Sequence, residues 1–207
     1  MSQIPALTSG RALEHGIGMM VDHGRGSGSK MYVGGQANAL VAAGTVINAD
    51  DEGSTETETT SYTVPANTLV AGSTIRAKFY VHSSSGNGSD TTQIGLRFGS
   101  NTTASSNDGI ETAAANLDNS GAVCIGDAVV QIRTAGASGT AVMFGTVAMD
   151  TNSVVGLSHD EADAMAAFAV DTTVANYLAV TITNSGSSAD QSSHAEAFVV
   201  DIVNPST

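Results

Sequence analysis

The chain has no tryptophan, one cysteine and three prolines in 207 residues, and aromatic residues make up only 4% of it. With so few rings, a core has to be assembled from Val, Ile, Leu, Ala and Met, and a sugar-binding groove would lack its usual stacking platforms. One cysteine excludes an internal disulfide. Cys124 lies in the apolar run Ala122-Val123-Cys124-Ile125, where a small buried hydrophobe is expected and not a nucleophile. Positive charge is scarce too. Seven Lys and Arg against twenty Asp and Glu give a formal charge of −13, and no Lys or Arg lies beyond Arg133. Such a surface argues against nucleic acid as a partner, because phosphate neutralisation needs bases. It argues against an anionic membrane for the same reason. The acids read as a source of solubility.

Long apolar runs are missing as well. Residues 31–49 are uncharged, but Gly, Gln and Asn interrupt them, so they do not read as a membrane span. The opening MSQIPALTSG has neither the basic nor the apolar region of a secretory signal.

Catalytic patterns are absent in the same way. There is no G-x-S-x-G elbow. The stretch Gly24-Arg-Gly-Ser-Gly-Ser-Lys30 lacks the glycine before and the hydroxyl after the lysine that a phosphate loop needs. His15, His23, His82, His159 and His194 form no metal-ligand spacing with one another or with Cys124. The acidic clusters Asp50-Asp51-Glu52 and Asp160-Glu161-Asp163 do not match a calcium loop and read as solvated acids. The expectation is a chain without catalytic residues, cofactor or metal, and not an enzyme.

What the sequence does contain is alternation. In residues 74–82, Ile75, Ala77, Phe79 and Val81 alternate with Arg76, Lys78, Tyr80 and His82, the period of a half-buried strand. Residues 38–47, 57–64, 91–98, 122–133, 139–149, 167–174, 177–183 and 194–203 read as further strands. Between them lie turn residues such as Pro65-Ala-Asn67, Ala135-Gly136 and Asn184-Ser-Gly-Ser-Ser188. Strands at this spacing, without crossover helices, predict an all-β antiparallel sandwich or barrel. Val64-Pro65 stops a strand, and Gly72 is expected to turn the chain into a strand starting at Thr74. One helix is predicted: Ser158-His159-Asp160-Glu161 is a capping box, and the alanines after it suit a short helix near 159–166.

Residues 1–30 differ from the remainder. They hold three of the seven bases, Arg11, Arg25 and Lys30, and glycine-rich linker chemistry. No apolar period runs long enough to predict an element there. The segment reads as an extended N-terminal arm (1–30) before a β-sandwich domain (31–207). Arg11, Arg25 and Lys30 supply charge, and Ile17, Met19 and Met20 supply apolar anchors, so these six are the candidate partner-binding residues.

The order Ser61-Tyr-Thr-Val-Pro-Ala-Asn-Thr-Leu69, Val70-Ala-Gly-Ser-Thr-Ile-Arg76 and Gly95-Leu-Arg-Phe-Gly99 resembles the jelly-roll structural proteins of tailed bacteriophages. Ile132-Arg-Thr-Ala-Gly136 and residues 171–183 continue the likeness, which covers about residues 55–204. Ser73 stands where that family commonly has Asp, and Ser100 where it has a second Gly. The resemblance implies an antiparallel jelly roll and a virion component assembled in the host cytoplasm. A sandwich leaves edge strands open, so a homo-oligomer is expected to cover them; the resemblance implies that it is a trimer, contacting other virion proteins such as the major capsid protein. Capsid decoration is the first expectation, because no shaft repeats or heptads mark a tail fibre. A tail-fibre or receptor-binding subunit is the alternative, and a carbohydrate-binding module the alternative of another class.

Overall fold

Ile75, Ala77, Phe79 and Val81 are buried while Arg76, Lys78 and His82 are exposed, so the alternation in the sequence becomes the two faces of a sheet. The computed structural model describes residues 17–21, 31–35, 37–41, 47–48, 55–84, 90–116, 122–149, 153–157, 167–185 and 191–205. In chain order the strands are β1 (Ile17–Val21), β2 (Met31–Gly35), β3 (Ala37–Val41), β4 (Ile47–Asn48) and β5 (Thr57–Val64). Next come β6 (Leu69–Ser84), β7 (Thr91–Gly99), β8 (Asp108–Glu111), β9 (Ala115–Asn116) and β10 (Ala122–Thr134). The last are β11 (Gly139–Met149), β12 (Ser153–Leu157), β13 (Phe168–Val170), β14 (Asn176–Asn184) and β15 (Ser192–Pro205).

All pairings are antiparallel. The large sheet runs β12-β11-β10-β6-β15-β3, with β13 also beside β11 and β4 beside β15. The small sheet runs β5-β14-β7-β8, with β9 also beside β7. Take β3, β5, β6, β7, β8, β10, β14 and β15 as first to eighth. One sheet then contains first–eighth–third–sixth and the other second–seventh–fourth–fifth, the strand exchange of a jelly roll. β11 and β12 widen the large sheet beyond this core.

The inner faces meet in one apolar cluster. Ile75, Phe79, Val130, Ile132, Phe198, Val200 and Ile202 of the large sheet join Ile94, Leu96, Phe98, Ile110, Leu178, Val180 and Ile182 of the small one. Cys124 is buried among them, as its apolar neighbours predict. Phe79 pairs in register with Phe198 on one side and Gly126 on the other. A side chain at Gly126 would overlap the Phe79 ring, so the glycine leaves room for the aromatic.

The corner between β5 and β6 is built as the sequence suggests up to Asn67, which takes a left-handed φ of 60°. The predicted turn at Gly72 needs correction. Gly72 does adopt φ +90°, but it lies inside β6, which is already a strand from Leu69. Buried Ser73 holds this stretch, its Oγ accepting from Val70 N at 2.9 Å.

At this end three separated segments meet at Thr172. Asn67 N donates to Thr172 O at 2.9 Å, and Thr172 N donates to Gly136 O at 3.1 Å. Gly136 N donates to Thr172 Oγ1 at 2.8 Å. At the opposite end the core turns polar. Thr92 Oγ1 donates to Asn184 Oδ1 at 2.8 Å and Ser193 Oγ to Ser83 Oγ at 2.9 Å. Ser193 Oγ also lies 3.0 Å from Asn184 Oδ1, joining the two sheets, so these buried hydroxyls have partners, as buried polar groups must.

One expectation is untouched and one is corrected. The helix near 159–166 lies outside the described residues. No element was expected before residue 31, yet Ile17–Val21 forms β1 and pairs with β2 in a two-stranded sheet across that boundary. Ile17, Met19, Met20 and Val21 leave no polar alternation to read, so periodicity could not show the strand.

Candidate functional site

The outward face of the large sheet carries the side chains least explained by folding. On β6 this face presents Arg76, Lys78, Tyr80 and His82. Across β10 the same rows hold Val129, Asp127, Ile125 and Val123. Across β15 they hold Asp201, Val199, Ala197 and His194. Opposite charges face each other, with Lys78 Nζ 3.7 Å from Asp127 Oδ2. At this exposure such a pair adds little stability.

Among these charges lie apolar residues that solvent reaches. Val123, Ile125 and Phe144 are 47%, 43% and 44% exposed. Ile125 stands opposite Ala148, and Phe144 opposite Val129, with the polar pair Asp127 and Thr146 between the two rows. The signal for this was in the sequence. Residues 122–133 alternate, and the face opposite Cys124, Ala128, Val130 and Ile132 carries Val123, Ile125 and Val129 beside Asp127, Gln131 and Arg133.

One end of the same face gathers three side chains that could ligate a metal. His82 and His194 are direct cross-strand partners, their rings edge-to-face with centroids 5.7 Å apart. His194 Nε2 lies 2.9 Å from Glu196 Oε1. A β-bulge sets this up. Ala195 pairs with Val81 and Ala197 with Tyr80, so Glu196 is the extra, unpaired residue. The Ala195 N–H is satisfied from the other sheet, donating to Thr59 Oγ1 at 3.0 Å. Spacing along the sequence could not show the whole cluster, because only the pairing of β6 with β15 brings His82 to His194 and Glu196.

The small sheet carries a second charged group. Arg97 Nε and NH2 donate to the two carboxylate oxygens of Glu56 at 2.6 and 3.0 Å. Arg97 NH2 also reaches Glu111 Oε2 at 2.5 Å. Burial works against this charge. The hydrogen bonds and charges of Glu56 and Glu111 outweigh it and hold the guanidinium above its ordinary pKa. The group reads as a cross-strand clamp.

Of the six partner-binding candidates, Ile17, Met19 and Met20 lie in β1. Arg11, Arg25 and Lys30 lie outside the described residues, as do the two acidic clusters.

No protein family and no curated protein matches the sequence. Among solved structures the chain is similar to the VP2 subviral particle of infectious bursal disease virus, at 11% identity and TM-score 0.36, over 88% of this chain and 37% of that one. It is similar to the polysaccharide lyase family 18 protein aly-SJ02 r-CATD at 7% identity and TM-score 0.29, over 81% and 89% of the two chains. It is also similar to a structure of the Gx strain of infectious bursal disease virus, at 9% identity and TM-score 0.22, over 91% and 48%. The chain thus spans less than half of either viral chain. Likenesses this slight assign no function.

Proposed function

We propose that this chain is a non-enzymatic structural subunit of a bacteriophage particle, a capsid decoration protein that binds the particle as an oligomer. One observation carries the reading: exposed Val123 and Ile125, neighbours on the outer face of β10, and exposed Phe144 opposite Val129 further along the same face. Apolar side chains standing together on a sheet face mark a surface that another protein covers. Covering them returns about 25 cal/mol per Å² of apolar area. The phage-like segments at 61–76 and 95–99 support the choice of a virion, and closed symmetry is the common way for a sandwich to cover such a face. The trimer follows the resemblance.

Two experiments test it. Replacing Ile125 and Phe144 together with Asp is expected to turn a trimer into monomers in sedimentation velocity, with the circular dichroism spectrum kept. A wild-type chain that sediments as a monomer, or a trimer that survives both substitutions, removes this face as the interface. Immunogold labelling of particles from cells producing the chain is expected to mark the head at many regular positions. Label at the tail tip alone would favour a tail-fibre subunit. Particles without label would overturn the virion reading.

A further inference from the structure

We infer that His82, His194 and Glu196 form a binding site for a divalent transition-metal ion of the zinc class. Two imidazoles and one carboxylate are the donors such ions prefer over Ca²⁺ or Mg²⁺, which take oxygen ligands in larger number. One potential ligand atom from each residue lies within 4.8 Å of the others. Zinc bonds of about 2.0–2.1 Å put tetrahedral ligands roughly 3.3 Å apart. His194 Nε2 and Glu196 Oε1, at 2.9 Å, are already near that separation. His82 is exposed and closes the remaining gap by a side-chain rotation.

Three features beyond proximity point to a ligand. The bulge inserts Glu196 beside His194, and its displaced N–H at Ala195 is compensated by buried Thr59. It is therefore a built feature of the strand, of the kind that re-aims a side chain. The His194 ring is held against Glu196 with its side chain 22% exposed, which fixes one donor in place. Its Nδ1 is buried and has no hydrogen-bond partner among the described residues. With Nε2 of His194 and Oε1 of Glu196 side by side, both can ligate one ion. Three protein donors leave a fourth tetrahedral position facing solvent, the arrangement of an open site.

The test uses the full-length chain and Zn²⁺ in competition with a chromophoric chelator. One ion per chain is expected at this site. His194→Gln and Glu196→Gln should each weaken its binding about tenfold or more, and excess Mg²⁺ or Ca²⁺ should not displace it. His15→Gln with His23→Gln, a pair outside this cluster, should leave the affinity unchanged. Co²⁺ in place of Zn²⁺ should give the strong visible absorption of a four-coordinate ion, lost in His82→Gln, whose exposed position tolerates the change. The inference is overturned if Zn²⁺ does not bind at micromolar protein. It is also overturned if the cluster variants keep wild-type affinity and cobalt spectrum. The result stands apart from the virion reading, because binding to the isolated chain does not depend on a particle.

Discussion

Arg97→Met is expected to lower the free energy of unfolding by about 3–5 kcal/mol, the usual cost of removing one partner from a desolvated ion group. The side chains of Arg97 and its acids are only 14% and 21% exposed, so water cannot take over the role of the guanidinium. Small neighbours let Arg97 lie flat across the sheet: its register partners are Gly109 on β8 and Ala179 on β14. An added side chain at Gly109 would overlap Arg97 itself. With Met at 97, Glu56 and Glu111 lose their shared counter-charge at the surface of the small sheet. Glu56 would keep one bond, from Thr181 Oγ1 at 2.5 Å. Adding Glu56→Gln and Glu111→Gln to Arg97→Met should therefore restore most of the loss, since it removes the two stranded charges. Urea unfolding of the single and triple variants decides the matter. A loss below about 1 kcal/mol for Arg97→Met would place the group among ordinary surface pairs.

Arg97 also shows why the sequence disclosed the fold better than the site. The segments that resemble phage proteins are those that shape the jelly roll. Asn67 and Gly136 take positive φ and meet at Thr172, and Arg97 ties β7 to residues on either side. The stretches 74–82 of β6 and 122–133 of β10 were legible from alternation alone, because one face is buried and period two records it. The short strands β8, β9 and β12 were not, since two to five residues are too few to show a period. The outward face was harder still. The pairing of His82 with His194 is a property of strand order, and strand order is set by the whole topology. The apolar character of Val123 and Ile125 was present in the sequence but passed for ordinary strand composition. What set it apart was which face of β10 the core would use.

The second large effect concerns the centre of the core. Phe79→Ala is expected to destabilise the chain by about 3–5 kcal/mol, the transfer and cavity cost of a buried ring. Gly126→Ala is expected to cost about 1–3 kcal/mol by overpacking, because the new methyl group would overlap that ring. The ring has little freedom to yield. Phe198 is its register partner on the other side, and Phe79, Phe98 and Phe198 are all fully buried. The two costs should not add. Once Phe79 is Ala, the methyl at 126 enters space the ring has left, removes part of the cavity and relieves a glycine in the middle of a strand. A cycle of the two single variants and the double variant, read from urea midpoints at constant m-value, should give a coupling of at least about 1 kcal/mol in favour of the double variant. Simple additivity would mean that Gly126 is not there to accommodate Phe79.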